Sequence, residues 1–155
     1  MRLVIAAVGR LRQGPESALI ADYLDRFAKT GRSLGLPPVS VTEVEDRRGG
    51  GMAAEAELLV RAVPDGAALV ILDERGRMLD SPEFAARIGD WRDQARDICF
   101  LIGGADGIDV PLRSRADLVI SFGRMVWPHM LVRVMLAEQL YRAATILAGS
   151  PYHRI

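Results

Sequence analysis

A chain of 155 residues, half of them hydrophobic and a quarter charged, is the size of one globular domain and long enough to bury a single core. Twenty basic residues balance twenty acidic ones, so no overall charge draws the molecule to nucleic acid or to an anionic membrane. The longest apolar runs, such as Ala67–Leu72, have the length of a strand and fall far short of the ~20 residues of a membrane-spanning helix, and two histidines with one cysteine, widely spaced, make no metal site.

The opening Leu3-Val4-Ile5-Ala6-Ala7-Val8 ends in Gly9-Arg10 without a small-residue cleavage site, so it reads as a first strand and not a signal peptide. Gly14-Pro15 opens a helix to about Thr30, with Leu19, Ile20, Tyr23, Leu24 and Phe27 on one face. Val39, Val41 and Val44 alternate with polar residues, as in a half-exposed second strand. The flexible Arg47-Arg48-Gly49-Gly50-Gly51 loop precedes a helix from about Met52 to Val63. A Pro64-Asp65-Gly66 turn leads to a third strand, Ala67–Asp73, and a loop over Glu74–Asp80. Ser81-Pro82-Glu83 starts a helix to about Gln94, with the serine hydroxyl as cap. Ile98–Ile102, which contains the buried Cys99, and Leu118–Phe122 are strands four and five, with a short helix over 110–116 between them. Pro128 opens the last helix, which ends at Gly149. It is apolar on nearly every side, which predicts burial all round, with a second subunit supplying part of the cover.

Strands alternating with helices predict an α/β protein with a largely parallel, buried sheet. Ligands in such sheets bind at the carboxyl ends of strands. Three loops qualify. Gly103-Gly104 follows strand four directly, and glycines there let backbone approach a ligand, although neither the dinucleotide fingerprint nor a phosphate-binding lysine is present. A tight turn is the plainer alternative. Asp73 after strand three could hold a ribose or amino group, or simply cap its loop. The loop Phe122-Gly123-Arg124-Met125-Val126-Trp127 is unusually apolar and must pack on a flat ligand, another subunit or its own core.

Charge is uneven along the chain. Residues 111–155 carry Arg113, Arg115, Arg124, Arg133, Arg142 and Arg154 against Asp117 and Glu138. Glu138 and Arg142 have helical ion-pair spacing. The tail Tyr152-His153-Arg154 joins an aromatic ring, an imidazole and a guanidinium, the side-chain types that stack on bases, move protons and pair with phosphate.

Leu101-Ile102-Gly103-Gly104-x-x-Gly107, Pro128-His129-x-Leu131-Val132-Arg133-Val134, Glu138-Gln139-Leu140-Tyr141-Arg142-Ala143 and Pro151-Tyr152-His153-Arg154, in this order and spacing, resemble the small SPOUT methyltransferases that modify 23S ribosomal RNA. The resemblance covers the whole chain and implies a SPOUT α/β fold, a mostly parallel five- or six-stranded sheet flanked by helices, with a C-terminal trefoil knot. It implies a cytoplasmic homodimer that uses S-adenosylmethionine to methylate N3 of a pseudouridine in 23S ribosomal RNA, within the assembled ribosome. It assigns the cofactor to Leu72, Gly103, Gly104 and Phe122, Gly123, Arg124, Met125, Val126, Trp127. His153 and Arg142 are then the catalytic candidates, with Tyr152 and Arg154 positioning RNA and His129 in a structural or RNA-contacting role. Ile155 departs from the charged residue with which the family more often closes. Other readings are a SPOUT enzyme acting on transfer RNA, an RNA-binding dimer without chemistry, and a nucleotide-binding oxidoreductase, against which the failed glycine fingerprint speaks.

Overall fold

The computed structural model describes residues 1–154; Ile155 lies outside them. Five parallel strands, β1 (Leu3–Val8), β2 (Val39–Val44), β3 (Ala68–Arg77), β4 (Ile98–Ile102) and β5 (Leu118–Ile120), form one sheet in the order β2-β1-β4-β3-β5. Among the described residues there is no sixth strand. The helices are α1 (Pro15–Gly31), α2 (Gly51–Ala62), α3 (Ser81–Asp93), α4 (Val110–Arg113) and α5 (His129–Ala148).

Alternation along β1 divides the core. Leu3, Ile5 and Ala7 join Phe27, Phe84, Ile88, Leu136 and Leu140 on one face, packed by α1, α3 and α5. Val4, Ala6 and Val8 join Ala56, Leu59 and Leu112 on the other, under α2 and α4. Burial on both faces is why β1, β4 and the first half of β3 are continuous apolar runs. Exposed β2 at the sheet edge keeps its polar alternation.

Several boundaries differ from the sequence expectation. Strand β3 runs on to Arg77 through a bulge, and Arg77 pairs with Ile120, so half of the expected Glu74–Asp80 loop is strand. Strand β5 stops at Ile120, releasing Ser121 and Phe122 into the following loop. The cap of α3 is Asp80, not Ser81: its carboxylate accepts from Glu83 N–H while Glu83 reaches back to Asp80 N–H, both at 2.8 Å. Ser81 instead donates to Gln139 Oε1 at 2.8 Å, tying α3 to α5. Helix α4 is a single turn. In the single chain Leu131 of α5 is exposed, where a second subunit was expected to supply cover, while Arg133, at 3 % exposure, lies inside.

Candidate active site

The carboxyl ends of β3, β4 and β5 meet in one cleft holding about 190 Å³ of space, walled by Leu72, Gly103, Gly104, Phe122, Gly123, Met125, Val126 and Trp127. Eight of the nine residues expected to bind a cofactor therefore converge; Arg124 is not among the lining residues. After β4, Gly107 N–H closes a turn on the Gly104 carbonyl at 3.0 Å. A Cβ on Gly103 would stand 2.7 Å from the backbone of Gly107, so this turn admits only glycine there.

Met125 and Val126 are 75 % and 78 % exposed and Trp127 is 41 % exposed, so the apolar loop does not fold back over its own core. It is braced from within: Ser121 Oγ donates to the Gly123 carbonyl at 2.8 Å and accepts from Gly123 N–H at 3.1 Å. An apolar wall left open to water beside the ends of a buried sheet is the arrangement a flat ring occupies.

Asp73 is committed elsewhere. Its carboxylate accepts from Arg75 N–H at 2.9 Å and from the Arg75 guanidinium at 3.0 and 3.1 Å, with Arg113 Nε at 3.9 Å. Burial pushes its carboxyl up, but the Arg75 bonds and Arg113 outweigh this and hold it below the ordinary value. Asp73 thus caps its loop. His129, at the start of α5, also lines the cleft. Its Nδ1 is buried without a hydrogen-bond partner. Burial, then the Arg133 charge, lowers its pKa, favouring the neutral ring.

The four residues expected to act on RNA lie near the end of the chain. Arg142 Nη1 is 3.2 Å from His153 Nδ1, and its guanidinium stands over the Tyr152 ring, 4.8 Å from the centroid. Glu138, which the sequence offered only as a helical partner of Arg142, organises the group. Its Oε1 accepts from Arg142 Nε and Nη2 at 2.9 and 2.6 Å and from Tyr152 Oη at 3.0 Å. Burial and Glu138 push the Tyr152 hydroxyl up to about 12, so it stays a donor. Tyr152 also packs on Tyr141 with ring centroids 4.6 Å apart. Far from fraying, the tail is held against α5.

A guanidinium has only donors. His153 Nδ1 must therefore accept, which leaves the proton of the neutral ring on Nε2. His153 and exposed Arg154 line a second cleft with Ser81, Met135 and Gln139, and this cleft shares Phe122 and Gly123 with the first. The tail and the glycine turn are neighbours across one apolar loop and do not form a single pocket within the described residues.

Arg133 escaped the sequence analysis as a structural element. It donates to Glu43 Oε2 at 2.7 Å and to the carbonyls of Val8 and Gly9 at 2.9 and 2.6 Å, fixing the carboxyl end of β1 beside His129. The signal was present: one charge set among Leu131, Val132 and Val134 has to be paired if that stretch is buried.

Comparison with known proteins places this parallel α/β sheet in a family. The family model described as predicted SPOUT methyltransferase matches residues 1–153, and the chain belongs to that family. It is 80% identical over 154 residues, 99% of each chain, to the ribosomal RNA large subunit methyltransferase H of Paracoccus denitrificans. To the protein of the same name from Cereibacter sphaeroides it is 70% identical over the whole of both chains. A solved structure of a probable methylase family protein from Haemophilus influenzae matches with a TM-score of 0.52 at 14% identity, covering 99% of this chain and 70% of that one, a likeness of fold alone. No described helix is long and apolar enough to cross a membrane, and no described group of side chains could hold a metal ion.

Proposed function

We propose that the protein transfers a methyl group from S-adenosylmethionine to large-subunit ribosomal RNA, at N3 of a pseudouridine, as a cytoplasmic homodimer with the family's C-terminal knot. The observation that carries this reading is the 80% identity over 99% of both chains with a protein named for ribosomal RNA methylation. The open face of the last helix supports the dimer: Leu131 is exposed there, and Leu19 of α1, Val134 and Met135 wall an apolar hollow beside it.

The cleft fits the cofactor. The Met125–Trp127 wall suits a purine, and the backbone of the Gly103-Gly104 turn can approach a ligand closely. When bound, the cofactor supplies an electrophilic methyl group on a sulfonium. Leu72, Gly103, Gly104 and the 122–127 loop would hold it, Arg124 being exposed and outside the lining of the cleft.

The protein must then position a ring nitrogen that has lost its proton to solvent water. Loss of that proton places negative charge on the imide. Arg142 is a fixed cation, and His153, with Nδ1 occupied, presents Nε2–H as a donor. Together they favour the imide anion as preorganised electrostatic groups. Tyr152, by stacking under Arg142, holds the pair in place, and Arg154 is free to meet phosphate.

The test is transfer of labelled methyl from S-adenosylmethionine to ribosomes lacking the modification, with His153→Ala alongside. Label in a large-subunit pseudouridine, lost in a variant that still binds cofactor, is the expected result. Cofactor binding without incorporation into ribosomes or free ribosomal RNA refutes the assignment.

A further inference from the structure

One group of charges has no part in the cleft or the tail: Arg10, Arg12, Arg47 and Arg48. Arg10 and Arg12 lie in the loop after β1, Arg47 and Arg48 in the loop after β2. Val8 is opposite Val44, and Gly9 N–H continues the ladder to the Val44 carbonyl at 2.8 Å. The two loops therefore leave the sheet side by side at its carboxyl edge. All four arginines are exposed, and none forms an ion pair among the described residues.

Some of the nearby carboxylates are committed. Glu43 is held by Arg133 and by Leu11 N–H. Asp46 spends both oxygens on the N–H groups of Arg48 and Gly50, at 3.1 and 2.5 Å. Glu45 and Glu57, which line one hollow with Arg47, Arg48 and Arg61, remain, and Glu55 stands at the Gly104 end of this edge; against these three carboxylates are set five guanidinium groups. In the glycine run beyond Arg48, Gly49 and Gly51 have φ of +70° and +71° with nothing within 4 Å of the position of a Cβ on either, whereas a Cβ on Gly50 would stand 2.7 Å from Ala54 Cβ. The run serves left-handed turns that carry the chain from the arginines into α2.

This edge adjoins the cleft. A Cβ on Gly104 would stand 3.2 Å from Val8 Cγ1, and one on Gly9 would stand 3.8 Å from His129 Cε1; both Gly104 and His129 line the cleft. Four exposed arginines on two adjoining loops beside the cleft, without an ion pair among the described residues and on a chain of zero net charge, suit a polyanion with regularly spaced charges. An anionic membrane fits less well, because such surfaces take basic residues interleaved with exposed apolar ones. Leu11, the apolar side chain between Arg10 and Arg12, is half-buried.

We propose that the paired loops after β1 and β2 form a seat for the sugar-phosphate backbone of the RNA substrate, with Arg10, Arg12, Arg47 and Arg48 contacting successive phosphates. The proposal rests on the ribosomal RNA reading, and it gives the chain a place to grip RNA next to the methyl-transfer cleft.

The experiment compares the wild-type chain, R10Q/R12Q/R47Q/R48Q and the corresponding four-lysine variant. Binding to 70S ribosomes and to protein-free large-subunit RNA is followed by fluorescence anisotropy across a salt series. The glutamine variant should bind at least about ten-fold more weakly near physiological salt, with a log–log salt slope flatter by roughly 3 for four lost phosphate contacts. Its thermal unfolding and cofactor affinity should match the wild type, and the lysine variant should recover most of the loss. If the quadruple change unfolds the chain, R10Q/R12Q and R47Q/R48Q should each show about half the change in slope. Wild-type affinity and slope in the glutamine variants overturn the proposal, as does arginine-dependent binding to phosphatidylserine vesicles but not to RNA. Methyl transfer is measured in parallel. Arginine-dependent RNA binding without any transfer would refute the methylation reading while leaving the seat in place.

Discussion

Arg133 Nη1 stands 2.7 Å from Glu43 Oε2, joining the first turns of α5 to the edge strand β2 across 90 positions of sequence. The same guanidinium holds the Val8 and Gly9 carbonyls. Arg133→Met removes the charge while keeping much of the buried volume; it takes this donor from the Val8 and Gly9 carbonyls and leaves the part-exposed Glu43 with Leu11 N–H alone. We expect a loss of roughly 2–4 kcal/mol, lowering Tm by about 5–12 °C. Calorimetry showing an unchanged Tm would mean that water replaces all three contacts.

The same pair sets a pH dependence. Burial raises the Glu43 carboxyl, but the bonds from Leu11 N–H and Arg133 outweigh it, and the group lies below its ordinary value of 4.5. A depressed folded pKa contributes stability that is present above the unfolded value and is lost as pH falls through the folded one. The acid limb of the stability curve should therefore steepen below pH 4.5, and Glu43→Gln should flatten it. Chemical denaturation at a series of pH values checks this; equal slopes in both proteins would remove Glu43 from the acid response.

His153 distinguishes two ways of activating an imide. With Nδ1 accepting from Arg142 at 3.2 Å, the ring donates through Nε2 and cannot also take a proton there while that contact lasts. Glutamine places an N–H near the position of Nε2, whereas alanine places nothing. His153→Ala should lower kcat by about 10²-fold, the scale of one lost donor to developing charge, and His153→Gln should recover about ten-fold of it. Cofactor affinity should be unchanged in both. If glutamine is no better than alanine, the imidazole acts as a base and must first release Arg142.

The alternation of apolar runs and amphipathic stretches made the α/β architecture legible, and the carboxyl-edge rule singled out the three loops that meet in one cleft. The extension of β3 was not legible, because Glu74-Arg75-Gly76-Arg77 has no strand composition. It is held by the pairing of Arg77 with Ile120, a tertiary contact. Likewise Ser81 and Asp80 are both good helix caps, and only the reciprocal bond to Glu83 decides between them. The family resemblance named Arg142 beside the Tyr152-His153-Arg154 tail, and the structure brings Arg142 into contact with Tyr152 and His153. Nothing in their spacing revealed that Glu138 accepts from both Arg142 and Tyr152.

The two glycines after β4 should behave differently. A Cβ on Gly103 meets the Gly107 backbone at 2.7 Å, which cannot yield without moving the turn. A Cβ on Gly104 meets the Glu55 carboxylate at 3.1 Å and Val8 Cγ1 at 3.2 Å, side-chain ends that can give way. Gly103→Ala should destabilise the fold by about 1–3 kcal/mol and weaken cofactor binding with it. Gly104→Ala should leave stability within about 1 kcal/mol of the wild type, so that any loss seen by titration calorimetry reports on the cleft itself. Equal melting temperatures for the two variants would show that the turn is softer than its geometry implies.

Cys99 lies on β4 at the centre of the sheet, and burial pushes its thiol up to about 12. The thiolate is the reactive form, so two barriers protect this side chain: it is hardly ever ionised near neutral pH, and no reagent reaches it in the folded state. A thiol reagent at pH 8 should therefore modify it only at the rate of opening of the core, and denaturant should release one equivalent quickly. Cofactor that stabilises the folded state should slow the reaction further by mass action. Rapid labelling of the native protein, insensitive to added cofactor, would instead mean that β4 is exposed by local opening, and the glycine turn it carries would then be a mobile element and not a preformed wall of the cleft.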